Sequence, residues 1–208
     1  MTALARSAPG SVITRAILAL FVAFSLSSCG LNSVPTAEEQ VNAEFANLQA
    51  EYQRRNDLIG NLVETVKAAA GSEEKILTEV TAARARATSV TLTPDQLDDP
   101  QAVQRYNAAQ AGLSSARSLL GTVIQERYPQ LQSQQRFADL MVALEGTENR
   151  IRTQRRDYNE AVRQYNTRIR TFPDAIGAKI FYGAKPKVPF EAAPGAETAP
   201  KVDFGNAG

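Results

Sequence analysis

The chain holds one thiol and no imidazole. Cys29 is its only cysteine, and histidine is absent. A lone cysteine excludes an intrachain disulfide. The lack of histidine removes the usual acid–base group near neutral pH and the commonest transition-metal ligand. No Ser–His or Cys–His pair, glycine-rich phosphate loop or metal-ligand cluster is present, so the sequence reads as non-enzymatic, with no cofactor and no metal. What remains is charge and aromatic chemistry. Arg55 interrupts an apolar stripe, where an unpaired buried cation would be costly; Glu148 is the expected partner. Arg54 and Asp57 beside it suit either a partner surface or a solvated helix face. Arg150, Arg152, Arg155, Arg156 and Arg163, with Arg168 and Arg170 beyond them, crowd one later segment. They suit anionic lipid headgroups or an envelope polymer, or a solvated face. Tyr158-Asn159 and Tyr165-Asn166 repeat at a spacing of seven, which puts both tyrosines on one helix face. Their hydroxyls would bond a facing helix, or the rings would form a ligand platform.

These residues need elements to position them, and the first element is an address. Arg6 and Arg15 form a basic start, followed by the apolar run Ala16–Leu26. That run has the length of a signal segment rather than the roughly 18 residues of a confident membrane span. Leu26-Ser27-Ser28-Cys29 follows directly and resembles the lipobox of bacterial lipoproteins. The resemblance implies cleavage after Ser28, acylation of Cys29 and an anchored chain outside the cytoplasm. The alternative is a single-pass N-terminal anchor with an incidental cysteine. Gly30 replaces the Asp that marks inner-membrane retention in enteric-type bacteria, so an outer membrane is favoured where the host has one. Loss of residues 1–28 removes two of 23 basic residues and none of the 22 acidic ones. A chain so nearly neutral gives no reason to expect nucleic acid as a partner.

From Thr36 the pattern is helical. Residues 29–35 read as a tether, with Thr36 and Glu39 as a capping box. Val41, Phe45, Leu48, Tyr52, Arg55, Ile59, Leu62, Val66 and Ala69 then step by four and three, a heptad-like seam. Gly71-Ser72 marks a stop and restart, and Ile76, Val80, Ala83, Ala87 and Val90 continue a narrow stripe. Thr93-Pro94-Asp95-Gln96 and Asp99-Pro100 offer two starts for a further helix carrying Ala102, Tyr106, Leu113 and Leu120; Tyr128-Pro129 ends it. The last helix is expected over 131–171. Its stripe runs through Phe137, Leu144, Thr147, Ile151, Gln154, Tyr158, Val162, Tyr165 and Phe172. A strap and a disordered tail over 191–208 follow. No such helix buries its stripe alone, and short connections make neighbours antiparallel. The expected fold is all-α: an elongated antiparallel bundle of three long helices, or four if the first breaks near Gly71, over 36–190.

The text Arg54-Arg55-Asn56-Asp57-Leu58-Ile59-Gly60-Asn61-Leu62-Val63-Glu64-Thr65-Val66-Lys67 resembles the LemA family. So do Val80–Ala85, Glu126–Leu131, Glu148–Ile151 and Arg156–Val162 through Phe172-Pro173. Gly60 stands where the family commonly has Pro. The resemblance implies a membrane-anchored helical bundle of poorly defined activity. The functional expectation is a lipid-anchored adaptor or scaffold for envelope proteins. The alternative is a module that binds anionic lipid or polymer through the Arg-rich last helix.

Overall fold

The computed structural model describes residues 32–70 and 75–191. Cys29, the signal segment, the Gly71-Ser72 junction and residues 192–208 lie outside the described residues. The first helix, α1 (Ser33–Ala70), is 38 residues long, about 57 Å at 1.5 Å per residue. It begins three residues before Thr36, so Ser33–Pro35 are helical rather than tether. Pro35 costs little there, because first-turn amides have no intrahelical partner anyway. Val34 is fully buried, and that burial favours the extra turn. Thr36 is therefore not a cap; its hydroxyl donates back to the Asn32 carbonyl at 2.7 Å.

Helix α2 (Lys75–Ser89) folds back along α1. Asn56 Nδ2 of α1 donates to Thr88 Oγ1 at 2.9 Å, and Arg84 Nε donates to the Asn56 carbonyl at 3.1 Å. The bundle is thus the four-helix form. Gly60 makes room for this crossing: a Cβ on it would lie 3.0 Å from the Arg84 guanidinium carbon.

Thr93-Pro94-Asp95-Gln96 caps only a 3₁₀ turn, in which the Thr93 amide donates to Gln96 Oε1 at 3.2 Å. The real start is Asp99-Pro100. The Asp99 carboxylate accepts from the Gln101 amide at 2.9 Å and opens α3 (Pro100–Arg127). A second 3₁₀ turn, Pro129–Leu131, buries Leu131 and delays α4 to Gln135–Arg168. A short helix α5 (Asp174–Gly177) runs into a wider π-helical turn, Ala178–Tyr182. Gly183 closes that turn at φ 55°, a left-handed conformation that disfavours any side chain. Phe172 was expected on the α4 stripe but is 82% exposed. The helix has ended four residues earlier, so its periodicity no longer aims that side chain.

Helix α1 packs chiefly on α4, and α2 on α3 and α1. The start of α1 meets the end of α4, which makes that pair antiparallel. The core falls into two apolar clusters. One gathers Val34–Tyr52 of α1, Ile151–Tyr165 of α4, the start of α3 and Phe190. The other gathers Ile59–Val66, α2, the end of α3, Phe137 and Leu144. Each fully buried Leu or Ile contributes about 1.5–3 kcal/mol. Between the clusters lies a layer of polar side chains.

Candidate functional site

Arg55 is the centre of that layer. The step of three from Tyr52 puts it on the seam, and it is 2% exposed. Its guanidinium spans from α1 to α3, where Nη1 donates to Ser114 Oγ at 2.6 Å. Nη2 donates to Gln110 Oε1 at 2.7 Å and to the Gln110 carbonyl at 3.2 Å. From α4, Glu148 Oε1 approaches Nη1 to 3.6 Å, outside hydrogen-bond distance. The structure thus brings Arg55 and Glu148 together as charges, while neutral acceptors on α3 make the hydrogen bonds. Among the described residues, Arg55 Nε and Glu148 Oε1 are both buried without a hydrogen bond. Burial lowers the Arg55 pKa and the Glu148 charge opposes that shift. The guanidinium also lies 5.0 Å from the Tyr52 ring centroid, a cation–π contact.

The layer reaches every long helix. Gln110 Nε2 turns to the Ala87 carbonyl of α2 at 3.2 Å. Thr147 of α4 is fully buried, its hydroxyl bonded to the Ala143 carbonyl at 2.9 Å. Above the layer, Gln49, Tyr52, Asn56, Thr88, Tyr106 and Gln110 line a groove of about 390 Å³. Burial pushes the Tyr52 and Tyr106 hydroxyls up, away from neutral pH, so they are poor proton donors there. The arrangement positions charge and hydrogen bonds. Among the described residues no group of three metal-ligating side chains comes together.

Five of the arginines named from the sequence are already engaged. Arg150 pairs with Glu51 of α1 at 2.9 Å and donates to Thr147 Oγ1 at 2.8 Å. Arg155 donates to the Glu191 carbonyl and lies 5.9 Å from the Phe190 ring centroid. Arg152 donates to Asn149. Arg156 pairs with Asp157 at 3.1 Å, and Arg163 Nε donates to Glu160 at 2.8 Å. Hydrogen bonds from Arg163 hold the Glu160 carboxyl down to about 2. Arg54 and Asp57 are exposed, and Asp57 accepts from Gln53 at 3.0 Å.

The Tyr-Asn repeat does something other than expected. The Tyr158 hydroxyl bonds no facing helix; it donates to the Val188 carbonyl of the strap at 3.0 Å. The asparagines do the larger part. Asn159 gives Nδ2 to the Phe190 carbonyl at 2.9 Å and takes the Phe190 amide on Oδ1 at 2.8 Å. Asn166 treats Lys187 the same way, at 2.8 and 2.9 Å. Seven residues of helix thus grip the non-helical strap at two points. The grip seats Phe190 among Phe45, Tyr106 and Tyr158, with ring centroids 5.0–6.4 Å apart. Glu191, placed in the tail from sequence, still accepts from Asn107 Nδ2 at 3.3 Å.

Two magnetosome proteins of Paramagnetospirillum magneticum, MamQ 1 and MamQ 2, are each 28% identical to this chain over 158 residues. MamQ of Magnetospirillum gryphiswaldense is 26% identical over 158 residues. Each match covers 68% of this chain, and the chain spans only 58% of the length of these curated relatives. The LemA family model matches residues 44–204, which take in the seam from Phe45 on, the polar layer and the strap. The chain belongs to the LemA family.

Proposed function

We propose that the chain is a membrane-associated, non-enzymatic bundle that serves as an adaptor for cell-envelope proteins. An acyl group on Cys29 anchors it on the extracytoplasmic side of the membrane. The observation that carries this reading is the start of α1. Ser33 already lies in the helix and Val34 in the core. The four steps from Cys29 to Ser33 reach at most about 14 Å. A rod that begins so close to its anchor holds partners at a set height above the bilayer. The internal pairing of Arg150, Arg152, Arg155, Arg156 and Arg163 gives less support to the Arg-rich face as a lipid or polymer site.

The test is labelling in cells with a fatty-acid analogue. The parent chain should take the label and Cys29→Ala should not. Proximity labelling from the parent should return a reproducible envelope protein that the variant loses. An unlabelled parent with unchanged membrane association would leave the single-pass anchor instead. Background hits alone would remove the adaptor role.

A further inference from the structure

The end of the bundle where α1 begins is also where the chain leaves α4. Four large apolar side chains lie there, Phe172, Ile176, Ile180 and Phe181, and they are 52–82% exposed. The turn that carries them is inside out. It buries its small residues, Gly177 and Ala178, and presents its large ones to the outside. Single exposed apolar residues need no explanation, but a contiguous group marks a contact surface.

The position of the group indicates which surface. Ala178 shares a cluster with Val34, Ala37 and Val41 of the first turns of α1. The patch therefore sits beside Ser33, the point from which the sequence runs back to Cys29 and the apolar run Ala16–Leu26. Charge points the same way. Between Ala161 and Phe190, Asp174 is the single acid against six bases. Arg168, Arg170 and Lys179 are exposed and make no ion pair among the described residues. This contrasts with the engaged arginines higher on α4. Exposed apolar side chains with unpaired cations close by in the chain fit the headgroup–acyl boundary of an anionic bilayer.

We propose that the turn at 172–182 is a second membrane contact, with Phe172, Ile176, Ile180 and Phe181 entering the bilayer interface and Arg168, Arg170 and Lys179 at the phosphates. It rests on the reading that the chain is held on a membrane at its N-terminal side. Two contacts at one end of the rod fix its tilt, which a single point of attachment does not.

The chain has no tryptophan, so Phe181→Trp gives a single reporter at an exposed position. Full-length protein would be reconstituted into phosphatidylcholine–phosphatidylglycerol vesicles containing lipid brominated on the acyl chains. Val142→Trp is the control: Val142 is 70% exposed and lies on α4 near Leu144, in the far half of the bundle. The Phe181→Trp emission should move to the blue and be quenched at least about two-fold, as a depth of about 5–10 Å requires. Val142→Trp should keep its solvent-exposed spectrum. Protein that floats with the vesicles while both reporters stay unquenched would overturn the tip contact and leave anchoring intact. A protein partner or a second copy would then be what covers the patch. Protein that fails to float would overturn both readings, since an inserting tip would itself retain it.

Discussion

Arg55 holds three neutral hydrogen bonds and one carboxylate that comes no closer than 3.6 Å. The geometry ranks its partners. Removing the cation leaves Gln110, Ser114 and Glu148 facing a void, and an unsatisfied buried group costs about 1–3 kcal/mol. Arg55→Ala should therefore destabilise by about 3–5 kcal/mol, the range for breaking a buried pair. Glu148→Gln leaves the α3 acceptors in place and should cost about 1 kcal/mol. Urea unfolding of both variants checks the order; equal losses would mean the carboxylate carries the site. The seam period places Arg55 in the core from sequence alone, because its seam neighbours Tyr52, three before, and Ile59, four after, are core residues. Gln110 and Ser114 were not legible that way. On an Ala-rich helix short polar residues look solvent-facing until the partner helix is in place.

At the scale of elements, the strap depends on two asparagines. Each makes two partly buried backbone hydrogen bonds, and each bond is worth about 0.5–1.5 kcal/mol. Asn159→Ala and Asn166→Ala should each cost about 1–3 kcal/mol by that arithmetic. They should also speed hydrogen exchange at the Phe190 and Lys187 amides, respectively, before any change appears in α1. Uniform acceleration through the bundle would instead mean that the strap has no separate opening. The seam of α1 was readable residue by residue, since a period of three and four survives in the folded helix. The strap was not, because a non-helical segment held by side chains has no period of its own. The repeat that betrays it was visible, but its tyrosines drew the reading and its asparagines carry the function. Phe172 shows the same limit from the other side: a stripe predicts burial only as far as the helix runs.

For the whole molecule, the buried tyrosines set a limit on alkaline stability. Burial raises the Tyr106 and Tyr158 pKa values and pushes Tyr165 up to about 12. Unfolded tyrosine releases its proton near pH 10. Above that point the folded chain keeps protons that the unfolded chain gives up, so stability falls as pH rises from about 10 towards about 12. With no histidine, the urea midpoint should be nearly flat from about pH 6 to 8 and then drop above about pH 10. Tyr158→Phe should shrink that alkaline drop; a midpoint that rises above pH 10 would contradict the burial account. The antiparallel bundle followed from short connections and unpaired stripes. The reversal between α1 and α2 did not, since Gly71-Ser72 allows a bend or a break. Only the bonds from Asn56 and Arg84 across the pair decide it.

The polar layer has a mechanical consequence. Apolar contact is what makes a bundle melt as one body, and here it is interrupted midway by Arg55, Gln110 and Thr147. Each half keeps its own core, and only the half that contains the start of α1 is clamped by the strap. A pull on the far tip can then open the loops and helix ends there as a separate cooperative unit. The strapped half stays shut, so such a rod would yield at its free end while keeping its footing.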